Sequence, residues 1–286
     1  MSNPSHVIKT IPSKADGLKI YAEAIGDPSK PAVVYIHGNS SSSGIWDYQF
    51  FDKELSTNFY QIRFDLRGHG LSETPDLEAP TSFDNEQQAG DVAAVLDAFN
   101  IKKPVFISWS YGALIPADYM SVYGYETTRA VAVINGITGP PQDVMRFFIM
   151  GGNPAFNENG NATKQHEAYG RFISSLTVKP LSREWTLRLR GMLTETATET
   201  RQWIWKRKKD WGVYLGDASK HVPKLVMFGK EDGMNSLAFI DYIKTKWEPS
   251  LLTVKFIEGA GHASFLEKPA DTNVALAEWL NSLPKL

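Results

Sequence analysis

Three polar residues spread along the chain have the types and the order that an activated nucleophile needs. Ser110 lies in Val105-Phe-Ile-Ser-Trp-Ser110-Tyr-Gly-Ala113, a β-forming run that passes into a helical pattern. Its hydroxyl therefore stands at a strand-to-helix turn, exposed on a tight bend and faced by the N–H groups and dipole of the helix that follows. Strand and helix backbones nearly touch at such a bend, so small residues are expected two before and two after. They are Ser108 and Gly112. A serine hydroxyl is a weak nucleophile until a base takes its proton, and the base must be oriented by a carboxylate.

Among the six histidines, His262 is the best placed base, because Gly259-Ala-Gly-His262-Ala follows a β-forming run and can carry an imidazole to the sheet edge. His37 and His69 stand in turns, His37-Gly38 and Arg67-Gly68-His69-Gly70, and are expected to hold those turns by side-chain hydrogen bonds. The acid should follow a strand between serine and histidine. Asp232 in Gly229-Lys-Glu-Asp232-Gly fits, with Glu231 as its neighbour and rival; the end of the preceding strand holds Asn135, which cannot carry the charge. An oxyanion formed on attack needs N–H donors. Tyr111 supplies one, and the loop His37-Gly38-Asn39-Ser40 the other, from Asn39 with Ser40 as second choice.

Competing chemistries fail on residues. Gly38-Asn-Ser-Ser-Ser-Ser-Gly44 lacks the Gly-Lys-Ser/Thr ending of a phosphate loop. Gly68-His-Gly70-Leu-Ser-Glu73 has Glu where a dinucleotide fingerprint has its third glycine. The histidines show no metal-ligand spacing, and the absence of cysteine excludes disulfides, thiol catalysis and thiolate metal sites. No metal or organic cofactor is called for.

The elements that must position these residues can be read from periodicity. Eight β-forming runs bounded by turn residues lie at Val7–Ile11, Leu18–Ile25, Ala32–His37, Tyr60–Asp65, Val105–Trp109, Arg129–Asn135, Lys224–Phe228 and Thr253–Glu258. Several are continuously apolar, as strands covered on both faces are. Helical patterns at Asn85–Phe99, Ser110–Tyr123, Leu237–Trp247 and Ala270–Leu283 alternate with them, which argues for an α/β protein with a doubly wound, mostly parallel sheet.

The alternation breaks between Gly139 and Gly212. That stretch contains the turn-rich Gly151–Gly160, then becomes helical and aromatic, and reads as a helical insertion over the sheet. Residues 1–138 and 213–286 are accordingly assigned to the core domain and 139–212 to a helical cap. Phe147-Phe148-Ile-Met150, Trp185, Trp203 and Trp205 in the cap, with Ser40 and Trp109 beside the nucleophile, point to a mainly apolar pocket. The basic run Lys206–Lys209 reads as a solvated helix face.

Hydrophobic residues at 42% and charged residues at 22% of 286 are those of an ordinary globular protein, so disorder is not expected. A formal net charge of −2 gives no reason to expect nucleic acid or an anionic membrane as partner. The N-terminus, MSNPSHVIKT, lacks a basic segment followed by an apolar run, and no stretch approaches the ~18 apolar residues of a membrane span. The expectation is a soluble cytoplasmic protein that acts on a small molecule, as monomer or dimer.

Taken in order, His37-Gly38-Asn39, Asp65-Leu-Arg67-Gly-His-Gly70-Leu-Ser72, Ser108-Trp-Ser110-Tyr-Gly112, Gly229-Lys-Glu-Asp232 and Gly261-His262 resemble the α/β-hydrolase superfamily over essentially the whole chain. The resemblance implies an eight-stranded, mostly parallel sheet with a helical cap between its sixth and seventh strands, and a structural turn at Asp65–Ser72. Members resembling haloalkane dehalogenases or epoxide hydrolases carry Asp at the elbow; serine favours acyl transfer. The expected substrate is a small-to-medium, largely apolar carboxylic ester or lactone. A cofactor-free perhydrolase or a C–C bond hydrolase would keep the same triad, the latter with Arg183 or Arg190 gripping a carboxylate. A small-ligand receptor on the same fold is the non-enzymatic alternative.

Overall fold

The computed structural model describes residues 6–149 and 161–284; Met150 and the turn-rich Gly151–Gly160 stretch lie outside them. Each of the eight β-forming runs is a strand, with ends within one residue of those expected: β1 His6–Pro12, β2 Lys19–Ile25, β3 Ala32–Ile36, β4 Tyr60–Phe64, β5 Val105–Trp109, β6 Ala130–Ile134, β7 Lys224–Gly229 and β8 Leu252–Ile257. They form one sheet in the order β1-β2-β4-β3-β5-β6-β7-β8. β2 pairs antiparallel with β1 and with β4, and the remaining pairs are parallel.

Successive side chains of a strand point to opposite faces, and here both faces are covered. Val34, Ile36, Phe106, Val131, Val133 and Val226 join one core with Val92, Val95 and Leu96 of helix α1 (Asn85–Ala98) and Ala117 and Met120 of α2 (Ile115–Tyr123). Their neighbours Val33, Tyr35, Val105, Ile107, Ala132 and Met227 join the other, with Trp46 and Phe50. This double burial is why the strands read as unbroken apolar runs.

Among the described residues, the three longest helices between β6 and β7 are α3 (Ala162–Ser175), α4 (Arg183–Glu195) and α5 (Thr198–Lys206). Their starts are written locally. Asn161 caps α3 by accepting from Lys164 N–H at 3.0 Å, and Ser182 caps α4 by accepting from Trp185 N–H at 3.2 Å. α6 (Phe239–Lys244) follows β7, and α7 (Pro269–Ser282) closes the chain with proline in its first turn, where no N–H is missed. Among the described residues, no helix is long and apolar enough to cross a membrane.

Because β3, β5, β6, β7 and β8 run parallel, the segments that follow them emerge at one edge of the sheet. Ser40, Ser110 and Asn135, beyond β3, β5 and β6, all have left-handed backbones, with φ of 54°, 53° and 47°. Such conformations are disfavoured for residues with a Cβ, and three of the four non-glycine cases among the described residues lie at this edge.

Candidate active site

Ser110 sits where β5 turns into a short 3-10 segment (Ser110–Leu114) that leads into α2. A Cβ added at Gly112 would lie 2.4 Å from the His37 carbonyl oxygen, so the approach of this turn to the end of β3 admits only glycine there. The other flanking position differs: Ser108 is fully buried, and its hydroxyl donates to the Ala132 carbonyl at 2.9 Å. A serine fits because the adjacent strand offers it an acceptor.

His262 brings Nε2 to 3.0 Å from Ser110 Oγ and Nδ1 to 3.1 and 3.2 Å from the two Asp232 oxygens. With a carboxylate facing it, Nδ1 carries the proton, which leaves the Nε2 lone pair for the serine hydroxyl. Asp232 is buried, and it accepts from Met234 N–H (2.8 Å), Asn235 N–H (3.1 Å) and the Asn135 side-chain amide (3.0 Å). Burial opposes its charge, but His262 and these hydrogen bonds outweigh burial and hold the carboxyl below the usual range. Glu231 is exposed and turns away, accepting from Ala260 N–H at 3.0 Å.

The segment after β3 lies directly against Ser110: a Cβ at Gly38 would come within 3.2 Å of Ser110 Cβ and 2.7 Å of the Trp109 ring. Asn39 follows, half-buried, and its side-chain oxygen accepts from the Ser40 hydroxyl at 2.9 Å. Tyr111 is the second residue of the helical turn, and the first N–H groups of a helix have no partner inside it.

The aromatic residues expected around the pocket fall into two groups. Trp205 is 46% exposed and packs edge-on against Tyr111, with ring centroids 5.5 Å apart, and against Phe148, at 6.3 Å. Phe148 is held near the acid loop by a β-bridge to Asn235. The others are placed elsewhere. Phe147 is buried against Phe239 and Tyr242. Trp185 donates its indole N–H to the Tyr48 hydroxyl, and Trp203 donates to the Leu77 carbonyl. Trp109 lies beneath the site, 2% exposed, and its indole N–H donates to the His262 carbonyl at 2.9 Å. Its ring thus ties the end of β5 to the His262 loop.

Four contributors were not legible beforehand. Asn135, set aside because it cannot be an acid, instead donates to Asp232 and to the Gly261 carbonyl. Its own carbonyl accepts from the Asn235 side-chain amide at 3.0 Å. Met192 of α4 reaches Gly44 and the Ser41 hydroxyl above the first loop. The fourth is Arg207. The run Lys206–Lys209 is solvated only in part: Lys206 and Lys208 are exposed, but α5 ends at Lys206, and Arg207 turns inward to pair with Asp118 at 2.6 Å. The left-handed φ at Asn135 follows the pattern of its strand-end neighbours, but nothing in the sequence reports φ.

The sequence profile of the Alpha/beta hydrolase family matches residues 33–275, and the chain belongs to that family. Among curated proteins it resembles a non-heme chloroperoxidase of Streptomyces lividans, at 35% identity over 37% of each chain. It also resembles the bifunctional esterase/perhydrolase DCH of Acinetobacter calcoaceticus, at 30% identity over 44% of this chain and 43% of that one. The chain spans less than half the length of the curated relatives it matches. The solved structure of the esterase RhEst1 from a Rhodococcus species superposes with a TM-score of 0.84 over 97% of this chain and 99% of that one, at 24% identity. A likeness at that identity speaks for the fold.

Proposed function

We propose that the chain is a serine hydrolase that cleaves a small-to-medium, largely apolar carboxylic ester or lactone through an acyl-enzyme. The observation that carries this reading is the continuous line from the Asp232 carboxylate through the His262 ring to Ser110 Oγ, with every link between 3.0 and 3.2 Å. In it, His262 Nε2 takes the Ser110 proton as the oxygen attacks the acyl carbon. The Asp232 charge stabilises the imidazolium, and the Asn39 and Tyr111 N–H groups receive the oxyanion. The same imidazolium then protonates the departing alcohol, and a water activated by His262 releases the acid. Trp205 and Phe148 form the apolar wall, and residues 139–212 act as the cap.

Peroxide in place of water as acyl acceptor is a second reading. It is favoured by the partial likeness to an esterase/perhydrolase and uses the same triad.

The test is hydrolysis of p-nitrophenyl acetate and butyrate. Ser110→Ala and His262→Ala should each lower kcat by roughly 10⁵–10⁶-fold, with no further loss when combined, because the residues act as a unit. Ser110→Ala should also abolish fluorophosphonate labelling. Retained labelling would remove Ser110 from its role.

A further inference from the structure

One residue of the basic run expected to be solvated is instead buried. Arg207 caps the C-terminal end of α5, and its side chain is fully buried. Its two terminal nitrogens donate to the two Asp118 oxygens, at 2.9 and 2.6 Å, and its Nε–H donates to the Tyr111 hydroxyl at 2.9 Å. Asp118 belongs to α2, the helix that the nucleophile turn leads into, and Tyr111 is the residue next to Ser110. One planar guanidinium thus bridges two points of the elbow segment from the helices between β6 and β7. A lysine, a point charge without the fork, cannot reproduce the paired bonds to Asp118 together with the Nε–H bond to Tyr111. Two further bonds fasten the same strap: Lys208 N–H donates to Asp84 at 2.9 Å, and the Trp203 indole donates to the Leu77 carbonyl at 2.8 Å. Burial opposes the Arg207 charge, but the Asp118 carboxylate outweighs burial and raises its pKa.

We propose that Arg207 is a positioning residue for acyl transfer. By gripping Asp118 and the Tyr111 hydroxyl together it fixes the residue whose N–H is aimed at the oxyanion, and sets Trp205 against the Tyr111 ring. This rests on the hydrolase reading above and deepens it. An N–H held in place this way matters most when negative charge develops on the substrate oxygen, so the clamp acts on the transition state more than on substrate binding. Its loss should lower kcat and leave KM nearly unchanged.

The test uses the full chain in three forms besides wild type. Arg207→Met/Asp118→Leu removes both buried charges together and leaves an apolar contact, which such sites usually tolerate in folding. Arg207→Lys keeps the charge without the fork. Tyr111→Phe removes only the hydroxyl. On p-nitrophenyl butyrate, the double variant and Arg207→Lys should lose between ~10- and ~100-fold in kcat, less than the complete loss of an oxyanion donor. KM should stay within about twofold, the mark of an interaction made in the transition state. Tyr111→Phe should lose less, and should add nothing in the Arg207→Lys background, because both remove one contact. Amide hydrogen exchange over residues 110–114 should quicken in each variant, while α1 keeps its wild-type rate.

Unchanged exchange over 110–114 overturns the clamp whether or not the protein hydrolyses esters. Faster exchange with unchanged kcat, or a raised KM at constant kcat, overturns the positioning role. A wild-type chain that neither turns over nor labels with fluorophosphonate sinks the hydrolase reading; in that case the exchange data alone decide the clamp. Should the double variant fail to fold, Tyr111→Phe carries both measurements.

Discussion

Asp65 and Asp232 each follow a strand of the same sheet, each opens a turn, and each has imidazoles nearby, yet only Asp232 pairs with an imidazole that also reaches a serine hydroxyl. The Asp65 carboxylate accepts from Ser43 N–H at 2.6 Å and Leu71 N–H at 2.8 Å, so both oxygens hold backbone. The histidines beside it are also committed to backbone. His37 Nδ1 donates to the Gly38 carbonyl, and its Nε2 accepts from Leu66 N–H, at 2.7 and 3.0 Å; His69 Nδ1 donates to the Arg67 carbonyl. Burial pushes their pKa values down to about 4 and about 3, which keeps both rings neutral near pH 7. Around Asp232 the partners differ in kind. One ring nitrogen of His262 meets the carboxylate and the other meets a hydroxyl whose proton can move. The same residue types differ in setting according to what the imidazole nitrogens face.

The sharpest way to break this contrast is to neutralise each aspartate in turn. Asp232→Asn should lower kcat by about 10⁴-fold by stabilising the wrong histidine tautomer. Glu231→Gln, one residue away but bonded to Ala260 N–H, should stay within about threefold, the scale of an exposed change outside the reacting groups. The reverse ranking would move the acid to Glu231. Asp65→Asn should do the opposite of Asp232→Asn. An amide nitrogen would face one of the two backbone N–H groups, so stability should fall by about 2–3 kcal/mol in urea titration. The folded fraction should keep kcat within a few-fold.

The smallest effect concerns the two scaffold histidines. Their folded pKa values lie below the ~6.5 of an unfolded histidine, so the unfolded chain binds more protons as pH falls. The stability they permit is complete above about pH 6.5 and is lost as pH drops toward the folded values of about 4 and 3. At pH 5 the loss should be about 2 kcal/mol per histidine. It is read as the slope of unfolding free energy against pH, and His69→Gln should flatten that slope. An unchanged slope would mean that His69 is not held neutral by its surroundings.

Much of this arrangement could be read before folding. Burial on both faces writes unbroken apolar runs, which is why the central strands were legible, and serine, aspartate and histidine each follow a strand in chain order. What the sequence could not supply was the anchor of each aromatic side chain. Trp109, Trp185 and Trp203 are apolar residues at plausible positions, but each indole N–H finds an acceptor far along the chain, in His262, Tyr48 and Leu77, and that acceptor sets where the ring goes. Asn135 escaped notice because an amide was weighed only as a failed acid, not as a donor to one.

By itself the sequence determined the sheet, the edge at which its loops gather, and the identities of nucleophile, base and acid candidates. All of these follow from local periodicity and from residue type at strand ends. Only the tertiary structure decided which Asp–His pair also meets a serine hydroxyl, and that a basic run holds a buried arginine. Hydrogen bonds are short-ranged and directional, while Arg207 and Asp118 are 89 residues apart in the chain, so no local pattern announces their meeting.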